Sequence, residues 1–302
     1  MKKSTYFFAM AIAIAACSFL NACQKTTDLK SNAAANSSAQ QTLQLNAVNG
    51  SFDADNFDND MNDIAMSDHA KQNTDGKILD GAQKPLRTFI PSADVYPHTL
   101  IVDYGTGFTT QYGVVKTGKV ISYYSASIEI PGAKELTTFQ NYTENGNLVT
   151  GTNSITNVTS KNDVSLVFHH LSDRNILFAN GDTRNILTDK IYFMVSAPNV
   201  AGTTANNIEN YIAGATTGKD NIGGINSYWV ATVVPFHLLH KLNTCEFNDK
   251  GIMGALVYST GSKTALLESL NYGDGTCDNT AVLTYNGAAH VIELPLNVWP
   301  IN

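Results

Sequence analysis

The chain is predicted to be all-β, an antiparallel meander of successive hairpins, on three observations. From about Pro85 onward, short runs rich in Val, Ile, Thr, Tyr and Phe alternate with Gly, Asn, Asp and Pro, the pattern of strands and turns. Asn145-Gly146, Asn180-Gly181 and Asn286-Gly287 fall between such runs. Asn-Gly supplies the two positive φ angles with which a tight hairpin matches the twist of its strands. Charged residues make up only 15% of the chain, below the usual quarter. Thr and Asn must therefore supply much of the polar surface of the sheet.

The first element is Met1 to Ala22. Lys2 and Lys3 open it, Tyr6 to Phe19 is an apolar run, and Leu20-Asn21-Ala22-Cys23 closes it. A positive start, a short apolar stretch and a small residue before the cut are the parts of a secretory signal peptide. The run is shorter than the roughly 20 residues that a bilayer core requires of a helix. Leu-x-Ala-Cys resembles the lipobox of bacterial lipoproteins. That resemblance implies cleavage after Ala22 and acylation of Cys23, palmitate included; a soluble secreted protein cut elsewhere is the alternative. Each buried methylene contributes roughly 0.8 kcal/mol, and stable anchoring takes more than one chain. Gln24 in place of Asp resembles the outer-membrane sorting pattern, so the expected partner is that membrane, with the protein facing the periplasm or the cell surface. Cys23-Gln24-Lys25 is also similar to the start of a surface-export signal of Bacteroidota lipoproteins, from which Thr26-Thr27-Asp28 departs.

Residues 23–50 are Ser, Ala, Asn, Gln and Thr with few large apolar groups, the composition of a disordered tether. Residues 51–84 are acidic. Asp58-Asn59-Asp60-Met61-Asn62-Asp63 begins like a calcium loop, but Asp63 stands where a sharp turn needs Gly and His69 where a bidentate Glu belongs. The expected element there is a short helix over Asp60 to Ala70, with Met61, Ile64 and Ala65 on one side.

Two β units are expected, 85–201 and 225–302, joined by the Gly/Thr/Asn-rich connection 202–224. The basis is an internal echo, Asp103-Tyr104-Gly105-Thr106-Gly107 against Asn271-Tyr272-Gly273-Asp274-Gly275. Each is expected to make a tight turn at the end of a β run. Arg-Asn-Ile-Leu also recurs, at 174–177 and 184–187. A two-residue turn at Asn180-Gly181 would set Leu177 opposite Arg184 and Ile176 opposite Asn185. Neither face is then cleanly apolar, and a slip of one residue would regroup every side chain.

Of four cysteines, Cys17 lies in the signal and Cys23 is the lipidation candidate, leaving Cys245 and Cys277. In an oxidising compartment the two most simply form a disulfide, stabilising by roughly 3–4 kcal/mol on chain entropy alone; two free buried thiols are the alternative.

The order of motifs resembles a group of uncharacterised Bacteroidota outer-membrane lipoproteins with Tyr-Gly-x-Gly-containing β repeats. The resemblance is carried by Tyr96-Pro97 and Asp103 to Gly107, then Thr117-Gly118-Lys119-Val120-Ile121 and Phe139-Gln140-Asn141-Tyr142. It continues through Asn145-Gly146, Gly151, Thr156-Asn157, Cys245, Tyr272 to Asn279, and Asn286-Gly287. Family members often carry Cys after the first Tyr-Gly-x-Gly, where this chain has Phe108. The resemblance implies a β fold and a lipid anchor but no activity.

A net charge of −7 argues against nucleic acid as a partner, because no basic patch is present to neutralise phosphates. His237 and His240 would point to opposite faces of a strand, so no metal or other cofactor is expected. His169-His170 is read as a strand end meeting solvent. No Gly-x-Ser-x-Gly nucleophile motif occurs, and no catalytic residue is assigned. In Tyr123-Tyr124 and Tyr228-Trp229 one ring of each pair must face outward; Tyr124 and Trp229 are the candidate ligand-stacking rings. The expected function is a lipid-anchored cell-envelope protein with a structural or binding role, toward a glycan or an envelope protein. The alternative is a hydrolytic enzyme acting on envelope or extracellular polymer.

Overall fold

The computed structural model describes, of the N-terminal region, residues 46, 47, 49–51, 53, 54, 57, 58, 61 and 64. From 85 to 293 it describes all but 111, 112, 161–164, 197–207, 239–249, 260–265, 275–279 and 286. The described N-terminal residues are helical and form helix α1. From Leu86 on, the described residues form a single antiparallel sheet of 13 strands in which each strand pairs with its neighbours in sequence. They are β1 Leu86–Ile90, β2 His98–Thr109, β3 Val115–Tyr124, β4 Lys134–Glu144, β5 Asn147–Asn157, β6 Leu166–Leu177 and β7 Thr183–Ser196. There follow β8 Ile208–Ile222, β9 Ile225–Leu238, β10 Lys250–Ser259, β11 Leu266–Asp274, β12 Thr280–Tyr285 and β13 Ala288–Glu293. The all-β meander is therefore as expected from the run-and-turn pattern.

Two expectations about its organisation are corrected. No connection separates two β units, because β8 runs through the stretch assigned to one and pairs along its length with β7 and β9. Its Gly, Thr and Asn content concealed a strand whose small inward residues leave room for a large neighbour. Gly218 faces Trp229 across the β8–β9 pair, and a Cβ there would overlap the indole. The other correction concerns the tether: Asn46, Ala47, Asn49 and Gly50 belong to α1, and all but Asn49 are buried. Ala47, Gly50, Ser51 and Ala54 are small because they lie against the sheet. Met61 and Ile64 are buried on the helix, which begins well before Asp60; Ala65 to Ala70 lie outside the described residues.

Contacts of α1 show how the sheet is shaped. Gly50 packs on Trp229 of β9, and Ser51 Oγ lies 3.0 Å from Met253 Sδ of β10. The carbonyl of Ala54 accepts from Arg174 of β6, and Phe57 meets Phe139 of β4 edge-on at 5.4 Å. Strands lie about 4.8 Å apart, so β4 to β10 spans about 29 Å if flat, against a helix about 10–12 Å across. Two turns of one helix reach all of them only because the sheet curls around it. The inner face carries both apolar residues and a row of small polar ones. Ser122, Thr137, Asn153, Ser172, Thr188 and Thr216 stand opposite one another from β3 to β8.

Turn chemistry sets the register. Asn145 (φ 49°) and Gly146 (φ 80°) form the expected two-residue turn, placing Glu144 opposite Asn147. At Asn180-Gly181 the loop has three residues instead. Phe178 exchanges backbone hydrogen bonds with Asp182 and Gly181, and Leu177 stands opposite Thr183. The expected register is thus off by one residue. In the observed one, Arg174, Ile176, Arg184 and Ile186 face inward together, and Asn175, Leu177, Thr183 and Asn185 face outward.

The first Tyr-Gly-x-Gly segment is an irregularity within β2, not a turn ending it; of the second, Tyr272 to Asp274 close β11 beside a register shift, and Gly275 lies outside the described residues. Gly105 N–H donates to Asp103 Oδ1 at 2.9 Å, and Gly273 N–H donates to Asn271 Oδ1 at 3.0 Å. The two segments share this local geometry within one sheet. The Lys119 ammonium, 2.8 Å away, and then the Gly105 N–H hold the Asp103 carboxyl below its ordinary range.

Because α1 fills the inner face, a fragment beginning at Pro85 should lose its core. Purified 85–302 is expected to show no cooperative thermal transition by circular dichroism, whereas 38–302 should unfold in one. A sharp transition in the shorter fragment would contradict the assigned role of α1.

Candidate functional site

The inner charges are held in a helix-to-sheet network. Arg184 donates bidentately to Asp220 at 2.9 and 3.0 Å, to the carbonyl of Asn46 at 3.0 Å, and to Asp53. Lys190 and Tyr192 both donate to Asp58 Oδ2 at 3.3 Å. Arg174 donates to Ser172 Oγ at 2.9 Å and lies 3.8 Å over the Phe57 ring. These residues became legible only through the register. In sequence, Arg174 and Arg184 read as polar members of two strands with no partner in sight.

Two buried ionisable groups stand apart from this pairing. His170 packs on the Tyr192 ring with centroids 4.2 Å apart, and neither of its nitrogens has a hydrogen-bond partner. Burial, with Lys190 and His169 beside it, lowers its pKa to about 3. It is a mid-strand core residue, not the strand end expected, while His169 faces outward and meets Asp189 at 2.8 Å. Glu268 on β11 stands opposite Ala255, its two buried carboxyl oxygens without a hydrogen-bond partner. Burial pushes it up to about 8.

On the outer face of β5–β8 the same register builds an open groove of about 330 Å³. Its walls are two rows of side chains that cross the strands. Leu148, Leu177, Thr183 and Asn221 form one; Thr150, Asn175, Asn185 and Lys219 form the other. Asn185 Nδ2 donates to Asn175 Oδ1 at 3.0 Å. The inward residues Ile176, Arg184 and Asp220 lie beneath it. One end is therefore apolar, with Leu177 45% exposed, and the remainder offers amides, hydroxyls and one ammonium. Both Arg-Asn-Ile-Leu segments contribute: Arg and Ile to the interior, Asn and Leu to the outer face. The repeat was visible in sequence, but its meaning depended on the three-residue loop.

A second, smaller cleft of about 180 Å³ lies where α1 meets the sheet, lined by Asp53, Phe57, Lys116, Glu144 and Arg174 among others. Its charges are engaged with one another, Lys116 lying 3.8 Å from Glu144.

The sequence-selected stacking rings are corrected. Tyr124 and Trp229 are both fully buried, and the outward members of their pairs are Tyr123, 46% exposed, and Tyr228, 37% exposed. One ring of each pair does face outward; strand alternation alone could not say which. Trp229 is held by Gly50 and Gly218, and the Tyr124 hydroxyl donates to the carbonyl of Ile64. Cys23, Cys245 and Cys277 lie outside the described residues, as does His240. Comparison with protein-family models, with curated proteins and with solved structures finds no match.

Two measurements follow from these groups. Arg184→Leu leaves Asp220 buried without its partner, which should cost about 3–5 kcal/mol in urea unfolding; adding Asp220→Leu should recover much of it. Second, His170 titrates from about 6.5 unfolded to about 3 folded, so its stabilisation is present above pH 6.5 and lost as pH falls toward 3. The folded-state value of Glu268, about 8, is raised from 4.5, so the folded chain binds the extra proton and stability declines as pH rises from 4.5 to 8. The two opposing slopes offset one another between about 4.5 and 6.5. Glu268→Gln should therefore abolish the alkaline decline while leaving stability near pH 4 unchanged, as read by melts across pH.

Proposed function

We propose that this protein is a lipid-anchored cell-envelope module that binds a glycan on the outer face of β5–β8. The observation that carries the reading is the paired amide ladder, Asn175 and Asn185, bounded by Leu148 and Leu177 on one side and Lys219 on the other. Amide groups donate and accept at once, which suits the adjacent hydroxyls of a sugar, and exposed leucines suit its C–H face. The ammonium of Lys219 adds three further donors. A wall made of strand side chains keeps its geometry without ligand, which lowers the ordering cost of binding.

The anchor reading rests on Leu20-Asn21-Ala22-Cys23, with the acyl chains on Cys23, and the outer-membrane reading, facing periplasm or cell surface, rests on Gln24. Acylation and binding combine naturally: a module fixed at a membrane holds its ligand near that surface. A hydrolase acting on envelope polymer would require ionisable groups converging on an open cleft. The smaller cleft does gather Asp53, Lys116, Glu144 and Arg174, but Asp53 is paired with Arg184 and Glu144 with Lys116, so its carboxylates are engaged in ion pairs.

The test is a glycan array probed with the mature chain carrying Cys23→Ser, followed by titration calorimetry of any hit. Asn185→Ala is expected to weaken binding at least tenfold with an unchanged melting temperature. Equal affinity in wild type and variant would remove the groove from consideration, and a silent array would overturn the glycan reading.

A further inference from the structure

We propose that the groove continues onto β9 and that an extended polysaccharide lies along it, perpendicular to the strands, with Tyr228 as a stacking platform. This inference rests on the glycan-binding reading above and specifies the form of the ligand. Register carries it. Thr150 stands opposite Asn175, Asn175 opposite Asn185, Asn185 opposite Lys219 and Lys219 opposite Tyr228. Directly opposed residues of antiparallel strands share a face, so the five form one row across five strands. A second row runs beside it, Leu148, Leu177, Thr183, Asn221 and Asn226.

Strands lie about 4.8 Å apart at their backbones, and on the outer face of a sheet that curls around α1 the side chains fan apart, so the five rungs recur at slightly more than that interval, over about 20 Å. That interval is close to the advance of one pyranose unit in an extended glycan. Each sugar would meet one hydrogen-bonding rung, and the side chain of each rung differs while its spacing does not. An extended peptide matches less well. Strand addition uses free backbone groups at a sheet edge, whereas these strands are paired on both sides and offer only their faces. A phosphate backbone would meet a chain of net charge −7, with Asp173 within 3.5 Å of the Asn185 amide.

Tyr228 gives the row its direction. It is 37% exposed, follows Lys219 in the row with Tyr258 of β10 next in register, and the adjacent Trp229 is locked in the core. An aromatic ring face covers the C–H surface of a pyranose, so the sugar over β9 would be held by stacking and those over β6 and β7 by amides. A chain must then be long enough to reach from the amide rungs to the ring before Tyr228 contributes.

The experiment is a length series. Cello-, chito- and xylo-oligosaccharides of two to six units are titrated into the mature Cys23→Ser chain and into its Tyr228→Ala and Tyr228→Phe variants. Affinity should rise several-fold with each added unit through about five, one per strand from β5 to β9 at about 4.8 Å spacing. Tyr228→Ala should remove the gain of the longest chains while leaving the shortest binding chain unaffected, and Tyr228→Phe should retain it. A disaccharide binding as tightly as a hexasaccharide, or Tyr228→Ala weakening all lengths equally, would overturn the ladder and leave glycan binding intact. Absence of binding by every series, together with a silent array, would overturn both. Matching melting temperatures among the three proteins exclude misfolding as the source of any difference.

Discussion

Arg184 joins three elements at once, and the architecture depends on that junction. Its guanidinium spans Asp220 of the neighbouring strand and both the Asp53 carboxylate and the Asn46 carbonyl of α1. A buried guanidinium is costly to desolvate unless its donors are satisfied, and here four hydrogen bonds satisfy it from two directions. Lys190 and Arg174 repeat the device farther along, toward Asp58 and the backbone of Asp53 and Ala54. The sheet cannot pair these cations with one another, so it requires the helix. The helix, whose acidic side chains would otherwise be solvated, requires the sheet. Apolar burial alone would allow α1 to slide or rotate; the charge pairs specify where along the inner face it rests.

This mutual requirement explains the composition of the inner face. An antiparallel sheet with a wholly apolar inner face would pack on a wholly apolar helix. Here the row Ser122, Thr137, Asn153, Ser172, Thr188 and Thr216 keeps the side chains short beneath it, and Gly218 and Gly50 admit the Trp229 ring. The outer face inherits its order from the inner one. Because side chains alternate strictly along a strand, fixing Arg174, Ile176, Arg184 and Ile186 inward places Asn175, Leu177 and Asn185 outward in register. The groove and the core are two sides of one pairing, and a change in the loop at Asn180-Gly181 would dissolve both.

Much of the strand content was legible because β-branched and aromatic runs between Asn-Gly pairs are strong local signals. Asn145-Gly146 made the two-residue turn that its chemistry demands. The loop at Asn180-Gly181 did not, since Gly181 is used as the third residue of a longer turn, and nothing local distinguishes the two. That single residue decided whether Arg184 stood opposite Leu177 or opposite Ile176 on the inner face. β8 was missed for a related reason: Gly214, Thr216 and Gly218 read as a linker, and their smallness makes sense only beside the Trp229 ring and the β7 backbone. Tyr124 and Trp229 were each one of two adjacent rings whose outward member depends on register.

The sequence by itself determined the strand-and-turn class of the chain and the segment at Leu20-Asn21-Ala22-Cys23 on which the proposed anchor rests. Each of these is written in contiguous residues whose physics is local: apolar run length, β propensity, and the positive φ of Asn-Gly. The tertiary structure decided that one sheet replaces two units and that residues assigned to a tether fold as a core helix. It also decided that Arg174 and Arg184 point in while Asn175 and Asn185 point out. These outcomes depend on pairing between residues far apart in the chain, such as Asp53 with Arg184 and Gly50 with Trp229. Register propagates from loop to strand to neighbouring strand, so no window of sequence contains it.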